Sequence, residues 1–201
     1  MALFLFQIVA VYAQVKPDAL FEYQRGNYQS AVGICTDEIA ADPYNIESHV
    51  VICWSLIQLN QYEEARTYAL AGRNISRYDI RLVEILGEVN YYQGRNVESL
   101  QYFQEYINLA PEGGRLDMVY YFLGEIYIRL GRFRHADIAL STAVYYMPGN
   151  AAWWTRLAYA RESAGDLQDA ARAYEQALTL NDQLSDARRG LERTRRSLGN
   201  R

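Results

Sequence analysis

A short pattern recurs five times at a nearly fixed interval, and it narrows the folds open to this chain more than any other feature. In its fullest form a glycine is followed two residues on by an aromatic or apolar residue and five residues on by alanine. Gly26, Tyr28 and Ala31 form one such set, Gly131, Phe133 and Ala136 another, and Gly165, Leu167 and Ala170 a third. Asn60, Tyr62 and Ala65 occupy the same places in the second unit, and Gly94, Asn96 and Ser99 in the third. The alanine-type positions 31, 65, 99, 136 and 170 are separated by 34, 34, 37 and 34 residues. Pro43, Pro111 and Pro148 each fall twelve residues later, and Arg77 and Asp182 stand there in the other two units. A period of this length marks one supersecondary unit that buries its apolar faces only by stacking on copies of itself.

Within a unit the apolar period is helical. Leu123, Ile126, Tyr127 and Leu130 line one stripe, and Ala136, Ala139, Leu140, Ala143 and Val144 line the next. Glycine between them ends the first helix in a left-handed turn, and proline at the unit's end stops the second. Leu86-Gly87, Leu123-Gly124-x-x-Tyr127 and Trp154-x-x-Leu157-Ala158 mark the first helices, with Val119-Tyr120 and Ala152-Trp153-Trp154 at their starts. Phe103, Leu140 and Tyr174 stand four residues after Ser99, Ala136 and Ala170. Small residues (Gly87, Gly124 and Ala158 against Ser99, Ala136 and Ala170) let the paired helices approach closely.

Taken together, these positions resemble the tetratricopeptide repeat, with its W-x-x-L-G-x-x-Y, A-x-x-x-F and P signature. The resemblance implies an all-α fold: a right-handed superhelical solenoid of about five helix-turn-helix repeats plus a C-terminal capping helix. The repeats fall at approximately 14–45, 46–79, 80–116, 117–150 and 151–184, followed by a capping helix and tail over 185–201. The second is the most degenerate, with Cys53 and Asn60 for glycine and Arg77 for proline. The three-residue surplus falls around Pro111-Glu112-Gly113-Gly114. Pro17-Asp18 marks the start of a shortened first helix, with proline at its first position.

The two ends differ from the array. Residues 1–13 (MALFLFQIVAVYA) carry no charge, are too few to span a bilayer, and end in Val11-Tyr12-Ala13 with small residues at the −3 and −1 positions. They read as the apolar core of a secretory signal without a basic n-region, which places the protein in the periplasm or outside the cell. The alternative is a buried or capping first helix in a cytoplasmic protein. At the other end, Ser185–Leu198 carries Arg188, Arg189, Arg193, Arg195 and Arg196, with Ala187, Leu191 and Leu198 inward. This is either the polar cap that such arrays need or a basic dock for an acidic partner or anionic lipid.

Composition removes most chemistry. Thirteen Gly and four Pro in 201 residues are few, in keeping with long helices. A net charge of −4 gives no electrostatic case for nucleic-acid binding. Lys16 is the one lysine, and two Cys with two His are too few for a zinc site without carboxylates. The sequence contains no G-x-S-x-G, P-loop, H-E-x-x-H or G-x-G-x-x-G. His49 and His135 have no second ligand at helical spacing, and the paired carboxylates Glu84/Glu88 and Glu63-Glu64 read as solvated helix faces. No catalytic, cofactor or metal residues are assigned, and the chain is expected not to be an enzyme.

The family resemblance implies binding: first helices line a concave groove that takes an extended peptide or a partner's helix. Carried onto this register, the groove comprises Trp54 and Ile57; Arg81, Glu84, Glu88, Tyr91 and Tyr92; Tyr121, Phe122, Glu125, Ile128 and Arg129; and Arg156, Tyr159 and Glu162. This is an aromatic wall interrupted by glutamates, although part of it, like Phe103 and Tyr127, belongs to the consensus core. The dicarboxylate clamp that grips chaperone tails is excluded: Lys16 and Arg81 match in type, but Leu20, Val51 and Ile85 are apolar. The expected partner is a protein or peptide, met as an adaptor or scaffold in a cell envelope. The alternatives are a small apolar ligand held as a transport accessory and a self-associating scaffold. Cys35 and Cys53, on helices that stack as neighbours, either pair as a disulfide or serve as small buried residues.

Overall fold

A computed structural model describes residues 18–200, and among these residues it contains eleven helices and no strand. The helices are α1 (Ala19–Gln24), α2 (Tyr28–Ala41), α3 (Ile46–Gln58), α4 (Tyr62–Ile75), α5 (Ile80–Tyr92) and α6 (Asn96–Leu109). They continue as α7 (Leu116–Arg129), α8 (Phe133–Tyr146), α9 (Ala151–Ala164), α10 (Leu167–Leu180) and α11 (Ser185–Gly199). The 1–13 segment, Lys16 and Pro17 lie outside the described residues. The first helix begins at Ala19 with Asp18 as its N-cap, accepting from the Phe21 amide at 3.0 Å. Asp18 is therefore a cap and not part of the helix.

Two local devices set the alternation of helices. Within each hairpin the chain reverses through a left-handed residue: Gly26, Gly94, Gly131 and Gly165, with φ between 68° and 89°, and Asn60 at 60°. Asparagine tolerates this region better than other non-glycine residues, so the degenerate second repeat still turns. Between hairpins, side-chain caps start α3, α5 and α9, whereas α11 follows Leu184 without one. Asn45, Asp79 and Asn150 each accept an amide two or three residues on, at 2.9–3.2 Å, each such cap being worth about 1 kcal/mol. The α6–α7 junction departs from this: its loop runs six residues, 110–115, and Arg115 offers no side-chain cap.

The backbones of the odd-numbered helices approach one another in sequence, α1–α3–α5–α7–α9–α11, whereas those of the even-numbered helices stand apart, α4 and α6 meeting through long side chains such as the Arg73–Glu105 pair at 2.6 Å. A stack whose one layer is in contact and whose other layer is splayed curves toward the contacting layer. The concave face is thus built from α1, α3, α5, α7 and α9. The core runs along the stack between the two layers, with Phe103, Tyr106, Tyr174, Leu140 and Leu157 fully buried.

Close approach inside a hairpin also seats a large residue against each glycine. A Cβ added at Gly87 would lie 2.5 Å from the Phe103 ring, and one at Gly124 would lie 2.4 Å from Leu140. Phe103 and Leu140 therefore sit in the glycine notches. Ser99 lies against Gly87 as the spacing implied, donating its hydroxyl to the Gly87 carbonyl at 2.7 Å. Tyr127, expected in the core, is half-buried beside His135, with ring centroids 5.3 Å apart.

The last helix docks on α10 through Ala187 and Leu191, with Gly190 leaving room for Tyr174. Its five arginines are engaged within the chain. Arg193 holds Glu162, Arg195 holds Glu175, Arg189 holds Asp186, Arg188 donates to the Asp182 carbonyl, and Arg196 lies 3.8 Å from Glu192. That pattern matches a cap; the basic-dock reading has no unpaired guanidinium to build on.

Candidate functional site: the concave groove

The groove divides into three stretches. At its N-terminal end a half-open cavity of about 350 Å³ is lined by Tyr23 of α1, Trp54, Ile57 and Gln58 of α3, Arg81, Glu84, Ile85 and Glu88 of α5, and Arg115. Trp54 and Tyr23 form its aromatic side, with ring centroids 5.8 Å apart. Glu84 is buried and accepts from Arg115 Nε at 2.7 Å. Arg81 is held on both sides, donating to both oxygens of Glu47 at 2.8 and 2.9 Å and to Asp79 at 2.8–3.1 Å. Glu84 and Glu88 are therefore not on a solvated face, as their spacing alone implied. Burial raises both carboxyls, Glu88 to about 7, with the neighbouring Glu84 charge raising it further and Arg115 opposing the rise.

In the middle the wall is aromatic. Tyr92 stacks on Tyr62 at 4.7 Å and meets Phe122 edge-on at 6.2 Å, while Tyr91 lies 4.9 Å from Phe122. Tyr121 stacks on Trp153 at 4.9 Å, and its hydroxyl is raised to about 12, chiefly by burial. The Arg129 guanidinium sits 3.7 Å from the Tyr91 ring centroid and donates to the Tyr91 carbonyl, a cation–π arrangement that fixes both side chains. Toward the C-terminal end, buried Glu125 accepts two bonds from Arg156 at 2.5 and 2.9 Å, and Glu162 accepts from Arg193 and from the Tyr174 hydroxyl. Tyr159 stands at this end, with the Arg156 guanidinium 5.4 Å from its ring.

The residues assigned from the register thus separate by exposure. Tyr92 at 43% and Tyr159 at 37% are open to solvent, and Arg129 is exposed. Trp54, Arg81, Glu88, Tyr91, Tyr121 and Ile128 are half-buried with a face on the groove. Phe122 at 3% is a correction: it stacks on Phe103 at 5.4 Å, nearly parallel, and belongs to the core. Ile57 at 7% is buried as well, reaching the cavity only with its edge. Sequence reasoning missed Tyr23 and Arg115. Tyr23 stands three residues before Gly26 as Tyr91 stands three before Gly94, so the register carried the signal. Arg115 comes from the lengthened loop, where no repeat position exists to be read. Among the described residues the most exposed tyrosines, Tyr44, Tyr78 and Tyr145, belong to the inter-repeat turns and the even-numbered layer.

His49 is buried with both ring nitrogens 3.2 Å from backbone carbonyls, of Tyr68 and Pro43, a structural tie between a turn and α4. Among the described residues no three His, Cys, Asp or Glu side chains gather to hold a metal ion, and no helix is long and apolar enough to cross a membrane. Cys35 and Cys53 are buried free thiols, Cys53 Sγ donating to the Ala65 carbonyl at 3.3 Å; the packing matches small buried residues, not the disulfide. Burial raises both thiols, Cys35 to about 12.

Residues 121–187 match the family model of the tetratricopeptide repeat. The chain folds as tetratricopeptide repeats. Solved structures agree along most of its length. PilW, described as a widely conserved type IV pilus biogenesis factor, is 20% identical with a TM-score of 0.76, over 90% of this chain and 83% of that one. A crystal structure of MamA is 19% identical with a TM-score of 0.70, over 82% and 88%. YrrB, described as a TPR protein with an unusual peptide-binding site, is 16% identical with a TM-score of 0.73, over 83% and 84%. At such identities the likeness concerns the fold of the repeat array. No curated protein sequence matches the chain.

Proposed function

We propose that this repeat array is a non-catalytic adaptor that holds an extended segment of a partner protein in its concave groove. The observation that carries the reading is the continuous run of tyrosine faces (Tyr91, Tyr92, Tyr121 and Tyr159) along the inner helices, each ring fixed by a neighbour and partly open to solvent. Rings already held in place lose little entropy on contact, and tyrosine and tryptophan carry much of the energy at interface hot spots. The peptide-binding site in the description of YrrB supports the same use of the fold. A small apolar ligand suits the cavity poorly, because it would desolvate Arg81, Glu84, Glu88 and Arg115 without offering them partners.

We place the adaptor in the cell envelope, on the strength of the uncharged 1–13 segment ending in Val11-Tyr12-Ala13. N-terminal sequencing of the protein from its native host should then begin at or near Gln14, and an intact Met1 on cytosolic material would end that placement. The groove itself is tested by photo-crosslinking amino acids placed singly at Tyr92, Tyr159 and Ile138. The two groove positions should give the same partner adduct and Ile138, on the outer layer, none. An adduct at Ile138 alone would move the binding surface to the other face.

A further inference from the structure

The N-terminal cavity has a chemistry that the rest of the groove lacks. Five carboxylates (Glu47, Asp79, Glu84, Glu88 and Asp117) surround two guanidiniums, Arg81 and Arg115. Arg81 is bound to Glu47 and Asp79, and Arg115 is bound to Glu84. Glu88 is the lining carboxylate with no ion-pair partner among the described residues; it faces the cavity between the Tyr92 hydroxyl and the engaged Arg115. Trp54 and Tyr23 give the same cavity an aromatic side. An aromatic face and a carboxylate without an ion-pair partner lining one cavity can hold an organic cation, through cation–π attraction and a charge-assisted hydrogen bond together. The volume, about 350 Å³, is at the lower end of the roughly 300–1,000 Å³ typical of ligand pockets, which suits a single long side chain.

We infer that this cavity is an anchor pocket for one arginine or lysine side chain of the extended segment, its alkyl stem lying along Trp54 and Tyr23 and its charged head reaching Glu88. The inference rests on the groove reading above and narrows it: the partner segment must carry a basic residue at the place where the groove meets α1, α3 and α5. Entry of the cation gives Glu88 a counter-charge and favours its ionised form, so binding of a basic segment is coupled to release of a proton. Affinity should accordingly rise with pH across the range in which Glu88 titrates in the free protein.

The experiment is selection of a randomised nine-residue peptide library against the full chain, followed by calorimetric titration of the best peptide at pH 6 and pH 8. The expected result is enrichment of Arg or Lys at one fixed peptide position. Replacing that residue by Met in the peptide, which leaves the protein untouched, should weaken binding about tenfold or more, as should Glu88→Gln in a protein whose melting is unimpaired. The gain in affinity from pH 6 to pH 8 should disappear in Glu88→Gln. Peptides that bind the groove with no basic preference, or whose binding is indifferent to Glu88→Gln, overturn the anchor pocket and leave the adaptor reading standing. Failure to select any peptide that competes at Tyr92 overturns both.

Discussion

Phe122 stands in the middle of the groove sequence, yet its ring belongs to the core, and the difference has a measurable size. The ring is 3% exposed, lies nearly parallel to Phe103 at 5.4 Å, and touches Tyr91 at 4.9 Å and Tyr92 at 6.2 Å. Phe122→Ala removes a buried ring from a site whose walls are rigid helices, a loss of about 3–5 kcal/mol. In a chain of this size each kcal/mol moves the melting point by about 2–4 °C, so a fall of about 6–20 °C is expected. Because the array is held together by nearest-neighbour interfaces, the loss should be concentrated at the α5–α8 junction, where amide hydrogen exchange would quicken first. Tyr92→Ala is the comparison: it gives up chiefly a stacked pair with Tyr62, worth about 0.5–1.5 kcal/mol. The assay is thermal melting by circular dichroism with exchange mass spectrometry on the same samples. A melting point that moves by less than about 3 °C in Phe122→Ala, with partner binding lost, would show that the ring is a binding residue after all and that its stacking on Phe103 contributes little.

Gly87→Ala places a methyl group 2.5 Å from the Phe103 ring, and the resulting overpacking should cost about 1–3 kcal/mol by denaturant titration, although alanine is the better helix former. Glu88 retains its proton to about pH 7 in the folded chain and loses it near pH 4.5 when unfolded. The unfolded state thus binds fewer protons between those values, and stability contributed at this site falls as pH rises from about 4.5 to 7. Glu88→Gln should therefore melt higher than the parent at pH 8 and alike at pH 4; an equal offset at both would assign the effect to packing. Cys35 and Cys53 should both resist thiol reagents in the native protein and both react after denaturation, since each is buried with its thiolate disfavoured; a count below two in denaturant would restore the disulfide.

The solenoid was legible because its devices are local and repeat. A left-handed turn needs glycine, or in one unit asparagine, at a fixed place, and the 34-residue spacing returns that place to the same point of the stack. Even Asn60, which departs from the pattern in letter, keeps it in conformation. What the spacing did not reveal is which large residue enters which notch. Phe103 and Leu140 reach back to Gly87 and Gly124 across sixteen residues, and that pairing depends on how the two helices are rotated against each other. Rotation by a fraction of a turn also decides whether a first-helix aromatic faces the groove or the second layer. Tyr121 and Phe122, adjacent in sequence, fall on opposite sides of that boundary: one stacks on Trp153 with a face on the groove, the other on Phe103 beneath it.

The electrostatics of the groove were less legible still, for a reason that the ion pairs make plain. Glu84 with Arg115, Glu125 with Arg156, and Glu162 with Arg193 are each separated by 31 residues, so each carboxylate is answered by the following inner helix or its approach. Read within one unit, such a glutamate is a charge on a helix face; read across two, it is half of a partly buried pair that fixes one repeat against the next. Breaking such a pair leaves the surviving charge to be desolvated alone, which is why the buried carboxylates Glu84 and Glu125 are engaged with arginine. Glu88 follows the opposite rule. It is raised by burial, flanked by Glu84, and faced by an arginine already committed elsewhere. In a groove where the neighbouring carboxylates already have a cation, the one that lacks it is where an incoming cation gains most.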